Sequence, residues 1–313
     1  MTSALIPDQI TRVSAPDLTR DLDLLDDEVA KLLDFTQDVK RMPARYGQAL
    51  AGKSLAVLFE KPSLRTRLTF ELAMQQLGGS VVTAEGPIGA REPLKDVARN
   101  LDRWVNAIVA RTFLQDTIEE LARWSSVPVI NALSDRFHPC QALADVFTLR
   151  ERFGELRGLR LAFVGDGNNV AHSLMLTSLR MGVNFSLATP RGYQPNPEVV
   201  DCARRVASVS GATLSITNNP EEAVAGANAV YTDVWASMGQ ESEAEKRRRD
   251  FTPYQVNETL FAQALPDAIF LHCLPAKRGE EVTDAVIECR RSAVFDQAEN
   301  RLHVQKALLL MML

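Results

Sequence analysis

Phe59-Glu60-Lys61-Pro62-Ser63-Leu64-Arg65-Thr66-Arg67-Leu68-Thr69-Phe70-Glu71 stands where the hydrophobic period of the chain changes. Upstream, Leu55 to Phe59 is a short unbroken apolar run, the pattern of a buried strand. Downstream, Leu68, Leu72, Ala73 and Leu77 recur at helical spacing, and Gly78-Gly79 supply a stop. The segment is therefore a strand-to-helix turn with Ser63 as its expected N-cap. The free N–H groups of the first helical turn then point outward at the positive end of the dipole. Arg65 and Arg67 crowd that turn together with two hydroxyls. A capped helix with surface arginines is the competing reading, but cations at a helix start repel the dipole unless an anion lies between them. The turn fits a phosphate.

The rest of the chain repeats the strand-helix alternation. The first set predicts strands at 55–59, 80–84, 106–110 and 127–131, with helices at 64–77, 93–104 and 115–124. Pro93 suits a first helical position, and Leu94, Val97, Leu101 and Trp104 form one stripe. Ahead of this set, residues 17–40 read as one acidic amphipathic helix. Pro139 to Phe153 reads as a long connecting helix. A second set follows, with apolar runs at 160–164, 183–188, 213–217, 229–234, 268–273 and 293–296 and helices clearest at 170–181 and 197–209. A last helix runs from Ala298 to Leu313. The expected fold is α/β: two domains, each a parallel sheet flanked by helices, with the active site in the cleft between them. The expected domains are 1–136 and 154–297, joined by the helix of 137–153, with 298–313 packing back on the first.

A length of 313 residues agrees with two domains. The formal charge of −5 argues against a general nucleic-acid surface, so an anion site must come from a few placed arginines. No apolar run reaches membrane-spanning length, and Met1 to Val13 lacks a signal-like apolar core. Cys140, Cys202, Cys273 and Cys289 lack metal-like spacing and suit reduced thiols in the cytoplasm.

Six polar clusters follow predicted strands: Lys61–Arg67, Arg111-Thr112, Ser134–Gln141, Gly165–Asn169, Asp233–Gly239 and His272–Pro275. In His138-Pro139-Cys140-Gln141 the proline opens a helix, and the dipole there disfavours imidazolium. A neutral His138 can donate to a carbonyl oxygen while Gln141 uses its amide on an adjacent NH₂ or oxygen. Gly165-Asp166-Gly167-Asn168-Asn169 lacks the third glycine of a dinucleotide turn, since Val170 stands there, and its asparagines suit an amino-acid head group or a plain tight turn. Asp233 ends a strand and can hold an ammonium. The charged run Glu241 to Asp250 reads as a solvated helix. His272 and Cys273, adjacent on a strand, face opposite ways and cannot form a dyad.

In order and over essentially the whole chain, Ser63-Leu64-Arg65-Thr66-Arg67, His138-Pro139-Cys140-Gln141, Asp233 with Ser237-Met238-Gly239, and His272-Cys273-Leu274-Pro275 resemble the aspartate/ornithine carbamoyltransferase family, most closely its ornithine branch. The resemblance implies transfer of a carbamoyl group from carbamoyl phosphate to the δ-amine of ornithine, within arginine metabolism, with neither metal nor organic cofactor. It implies that Ser63, Leu64, Arg65, Thr66 and Arg111 hold the phosphate. Arg65, Thr66, Arg111 and His138 converge on the carbonyl oxygen, and Gln141 takes the NH₂. Asn168 or Asn169, Asp233, Ser237 and Met238 hold ornithine, while Cys273, Leu274 and Arg301 complete the site near the reacting amine. Arg111, His138, Asp233 and Cys273 are the expected catalytic groups.

The family also implies a homotrimer in which loop 85–89 reaches the neighbouring site. Many ornithine enzymes carry glutamine where Pro87 stands, and proline offers neither an amide side chain nor a backbone N–H. Leu64 replaces a usual threonine but keeps its backbone N–H. Pro87 therefore leaves acetylornithine, succinylornithine or putrescine open as amine substrates. A non-catalytic carbamoyl phosphate binder and an NAD-dependent oxidoreductase are the readings from other classes.

Overall fold

The computed structural model describes residues 10–236 and 241–313. They divide into two compact units, one drawn from residues up to Leu143 together with Asn300–Leu313, the other spanning Ala144–Glu299.

In the first unit, strands β1 (Ser54–Phe59), β2 (Ser80–Glu85), β3 (Ala107–Arg111) and β4 (Val129–Leu133) form a parallel sheet in the order β2-β1-β3-β4. Helices α1 (Asp26–Arg41), α2 (Leu64–Gln76), α3 (Leu94–Leu101) and α4 (Gln115–Trp124) accompany it. β1, apolar from Leu55 to Phe59, is an interior strand, and its residues 55–59 are buried. Ala56, Ile108, Ala110, Ile118 and Leu121 form the core between the sheet and its helices. Register on the β3–β4 pair slips by one residue between Ala110 and Arg111, leaving Ala132 of β4 as the extra residue.

The second unit holds β5 (Arg160–Val164), β6 (Asn184–Ala188), β7 (Leu214–Thr217), β8 (Ala229–Thr232) and β9 (Ile269–His272), all parallel, in the order β7-β6-β5-β8-β9. Between the strands run α6 (Asn169–Arg180), α7 (Pro197–Ser210), α8 (Pro220–Val224), α9 (Ala244–Phe251), α10 (Glu258–Phe261) and α11 (Asp284–Glu288). Ala162, Val164, Val230, Phe251 and Phe270 centre its core. The helices α5 (Pro139–Phe153) and α12 (Val294–Met312) each contain a boundary between the units. Among the described residues no helix is long and apolar enough to cross a membrane.

Three expectations are corrected. The helix expected over 17–40 is α1 alone. Leu18 instead makes a parallel bridge to Ile130, and Asp23 Oδ2 accepts the backbone N–H groups of Thr19 at 2.7 Å and Arg20 at 3.0 Å. That carboxylate offers the backbone an alternative to helix. The apolar run 293–296 is not a strand. Ala293 N–H donates to the Phe270 carbonyl and Gln297 N–H to Ala293, so the run leaves the sheet edge directly into α12. Short apolar runs carry no period of their own, which is why both assignments fit the sequence. The run 241–250 is not wholly solvated, for Arg247 on α9 is buried.

Gly167 marks a close approach. A Cβ there would lie 2.3 Å from the Pro195 backbone nitrogen, and the Gly167 N–H donates to the Tyr193 carbonyl at 2.9 Å. Gly167→Ala is expected to destabilise the protein by roughly 1–3 kcal/mol through this overlap, read from the urea midpoint; an unchanged midpoint would show that the turn yields freely.

Candidate active site

The polar residues singled out in the sequence fall into two groups, one in each unit. The first forms where α2 begins. Ser63 is the N-cap of α2 by position, but its side chain makes no cap hydrogen bond, and the first turn carries no acidic residue. Of the two arginines, only Arg65 stays uncommitted. Among the described residues its guanidinium has neither ion pair nor hydrogen bond, whereas Arg67 is held by Glu71 at 2.8 Å and Glu85 at 2.5 Å. Arg67 is thus a structural brace. Leu64 is exposed, leaving its backbone as its contribution.

Thr66, Arg111, His138, Gln141 and Arg301 are all buried. Arg301 Nη2 donates to Thr66 Oγ1 at 2.6 Å. Because that oxygen accepts from Arg301, the Thr66 hydroxyl proton is available to another acceptor. His138 immediately precedes Pro139 at the start of α5, and its carbonyl accepts from Gln141 and Ala142 N–H. Burial, followed by the charges of Arg301 and Arg111, holds the His138 imidazole well below its usual range. The direction matches the helix-dipole argument, but desolvation and two guanidiniums supply the cause. A neutral imidazole among guanidiniums is a hydrogen-bonding partner for an anion or a polarised carbonyl.

Glu60 carries a role that its sequence context does not advertise. Oε1 accepts Ile88 N–H at 3.0 Å and Oε2 accepts Phe113 N–H at 2.8 Å, so one carboxylate clamps both loop 85–89 and the segment after Arg111. A glutamate one residue past a strand has no sequence signature for such a clamp.

The second group surrounds the ends of β5, β8 and β9. Asn168 caps α6, its Oδ1 accepting from Val170 N–H at 3.0 Å and Ala171 N–H at 3.1 Å. Its Nδ2 donates to Asp233 Oδ2 at 2.9 Å, so Asn168 orients the carboxylate; Asn169 is the first residue of α6. Cys273 Sγ lies 3.1 Å from Asp233 Oδ1. Burial, then the charge of Asp233, pushes the Cys273 thiol well above its ordinary range, which makes it a donor rather than a nucleophile. Ser237 and Met238 lie outside the described residues. Arg247, unforeseen in the charged run, donates to Asp166 Oδ2 at 2.8 Å and to the Trp235 carbonyl at 2.9 Å, fixing the backbone just past Asp233. Burial pushes Asp166 up to about 6 against the pull of Arg247.

Asp233, His272 and Cys273 each bring one possible ligand atom within 4.8 Å of the others. Both His272 nitrogens are engaged, however. Nδ1 accepts Leu274 N–H at 2.8 Å, which places the proton on Nε2 facing Glu281 Oε1 at 3.2 Å. Among these three only Asp233 and Cys273 bond to each other, and the imidazole instead holds Leu274, whose φ of 58° is unusual for a branched side chain.

A turn carrying neutral and cationic donors in one unit and a carboxylate held by Asn168 and Cys273 in the other are the two polar sets of the chain. Residues 17–151 match the aspartate/ornithine carbamoyltransferase carbamoyl-P binding domain, and residues 157–312 match the Asp/Orn binding domain of the same family. The chain belongs to the aspartate/ornithine carbamoyltransferase family. It is 54% identical over 267 residues to the ornithine carbamoyltransferase of Anoxybacillus flavithermus, covering 84% of this chain and 85% of that relative. The solved ornithine carbamoyltransferase from Pyrococcus furiosus superposes with a TM-score of 0.94 at 46% identity, covering 97% of this chain and 99% of that one. An acetylornithine transcarbamylase complexed with acetylcitrulline superposes at 0.86 and 32% identity, covering 95% and 99%.

The His138 environment makes a pH prediction. The unfolded chain protonates this histidine near 6.5, while the folded site resists protonation. Its contribution to stability is therefore present above that pH and is lost as pH falls toward the folded value. His138→Gln is expected to make the acid decline of urea-measured stability between about pH 6.5 and 5 shallower than in the parent; an identical slope would mean that His138 titrates normally.

Proposed function

We propose that this chain transfers the carbamoyl group of carbamoyl phosphate to the δ-amine of L-ornithine, giving L-citrulline and phosphate. The observation that carries the reading is that one chain keeps both polar sets, a guanidinium-rich turn at Thr66 and an Asn168–Asp233–Cys273 assembly. A protein that only bound carbamoyl phosphate would need the first set alone. An NAD-dependent reading has no glycine at Val170 to support it. The 54% relative and the 46% structure are named for ornithine, against 32% for the acetylornithine enzyme, which favours the free amino acid as acceptor.

Ser63, the Leu64 backbone, Arg65, Thr66 and Arg111 hold the phosphate, and Gln141 holds the carbamoyl NH₂. As the amine nitrogen bonds to the carbonyl carbon, the oxygen gains negative charge. Arg65, Thr66, Arg111 and His138 offer donors to it, and losing one such donor typically lowers the rate ~10²–10³-fold. The C–O bond to phosphate then breaks, and the phosphate departs with the electron pair. Ornithine's δ-amine has a reference pKa near ~10.4, so the site must collect the neutral form and dispose of a proton. Asp233, with Cys273 and Asn168 beside it, serves that end, and Ser237, Met238 and Asn169 complete ornithine binding. No cofactor enters the chemistry.

The protein works as a homotrimer in the cytoplasm, in arginine biosynthesis. Leu64, Leu68 and Leu72 lie at four-residue spacing on α2, 71%, 44% and 40% exposed, and Val82 on the sheet-edge strand β2 is 60% exposed. Such an apolar stripe beside a sheet edge suits burial against another copy. Loop 85–89 reaches the neighbouring site, with Pro87 exposed at its tip.

The decisive assay offers ornithine, N-acetylornithine, N-succinylornithine, putrescine and aspartate with carbamoyl phosphate. Preference for ornithine is expected; preference for an acylated or decarboxylated amine would move specificity to loop 85–89, and binding without turnover would favour a binding protein. Arg65→Ala should raise the carbamoyl phosphate KM and lower kcat by about 10²-fold or more, and near-normal kinetics would remove Arg65 from the site. Cys273→Ser should impair ornithine use more than carbamoyl phosphate binding, a split that equal effects on both would contradict.

A further inference from the structure

The turn that carries Cys273 off the end of β9 is held by a histidine and a glutamate to which carbamoyl transfer assigns nothing. His272 is the last residue of β9 and Glu281 lies shortly before α11; both are buried. Leu274 N–H donates to His272 Nδ1 at 2.8 Å. A backbone N–H is always the donor, so Nδ1 carries no proton and the neutral ring holds its single proton on Nε2. Nε2 then donates to Glu281 Oε1 at 3.2 Å, and the same oxygen accepts Lys277 N–H at 2.5 Å. The His272 backbone N–H goes to Gln297 Oε1 at 2.9 Å. Each proton in this set is used once, and Oε1 has the lone pairs for both of its donors.

The acceptor at residue 272 and the N–H at 274 close a small ring over Cys273, the geometry of an Asx turn with imidazole in place of the asparagine oxygen. Gln297 fixes the backbone before the cysteine and the imidazole fixes it after. Between those two anchors Cys273 Sγ lies 3.1 Å from Asp233 Oδ1. Leu274 sits at φ 58°, which a branched side chain keeps only where its surroundings impose it. Glu281 is a firm post for the ring, since its carbonyl accepts Val256 N–H at 2.9 Å beside the Val256–Val282 bridge. Among the described residues its second oxygen, Oε2, is buried without a partner. All the hydrogen bonding of the carboxylate therefore goes to this turn. Burying a carboxylate is costly, and an apolar side chain of its volume often serves stability as well.

We propose that His272 and Glu281 are positioning residues for the amine end of the site: Glu281 holds the imidazole in its Nε2–H tautomer, the imidazole clasps Leu274 N–H, and the clasped turn aims Cys273 at Asp233. The proposal rests on the carbamoyl-transfer reading for its substrate, ornithine, while its tautomer arm stands without it. Neither residue touches substrate or exchanges a proton in this role.

The first test leaves the turn intact. In parent protein isotope-labelled in its histidine rings, long-range proton–nitrogen NMR at neutral pH reports the tautomer, and four histidines are few enough to assign one by one. His272 is expected as a neutral ring protonated on Nε2; a proton on Nδ1, or on both nitrogens, would overturn the proposal. The second test compares His272→Asn, whose side-chain oxygen stands where Nδ1 stood, with His272→Gln, whose amide reaches the Nε2 position and leaves Leu274 N–H without its acceptor. His272→Gln is expected to raise the ornithine KM above that of His272→Asn by roughly three- to tenfold, the worth of one hydrogen bond, with the carbamoyl phosphate KM alike in the two. An ornithine KM equal in both variants, or a carbamoyl phosphate KM that rises in step with it, would overturn the positioning role. Where circular dichroism shows that a histidine variant does not fold, Glu281→Gln, which keeps an oxygen for the imidazole, is set against Glu281→Met, which keeps only the volume. The Gln variant is expected to retain the Nε2–H tautomer and the Met variant to lose it, and retention in both would overturn the role of Glu281. Failure of the parent to carbamoylate ornithine would defeat the functional reading, while the tautomer would still decide the clasp.

Discussion

Like-charge crowding at the start of α2 is the constraint on which the first unit depends. Three guanidiniums, those of Arg65, Arg111 and Arg301, belong to a half-site whose helix terminus is itself positive, and the histidine beside Arg111 and Arg301 is held neutral. Hydrogen bonds fix parts of this arrangement in place. Thr66 accepts a hydrogen bond from Arg301, and Glu60 fastens loop 85–89 and the segment after Arg111. Burial then amplifies each interaction, because fewer waters compete for the same donors.

The second unit fixes a carboxylate, that of Asp233, by both of its oxygens. Asn168 fixes one Asp233 oxygen while its own oxygen caps α6, so helix geometry and carboxylate orientation are set by a single side chain. Cys273 takes the other oxygen, and Arg247 pins the backbone at Trp235. Stability and chemistry share these residues, which is why the unit carries polar groups in its interior at all.

Much of this was legible in the sequence. The change of period at Phe59–Ser63 sets the parallel α/β pattern, because unbroken apolar runs and helical stripes obey different spacings. Pro139 placed His138 at a helix start, since proline lacks the N–H that a helix start leaves unused. Other features stayed hidden for physical reasons. Leu18 fits a helical stripe, yet a carboxylate at Asp23 captures the preceding backbone, and only the folded chain shows which bond wins. Val294 and Phe295 suit strand or helix equally. Arg247 sits in a run of surface charges, and its burial depends on Asp166, 81 residues away.

The most direct measurement is a calorimetric titration of carbamoyl phosphate into the intact protein with no amine present, repeated in the presence of inorganic phosphate. If the guanidinium cluster is built for the phosphorylated donor, the titration yields one saturable site per chain whose apparent affinity weakens as phosphate is added. No saturable heat, or an affinity indifferent to phosphate, would contradict the account at its root.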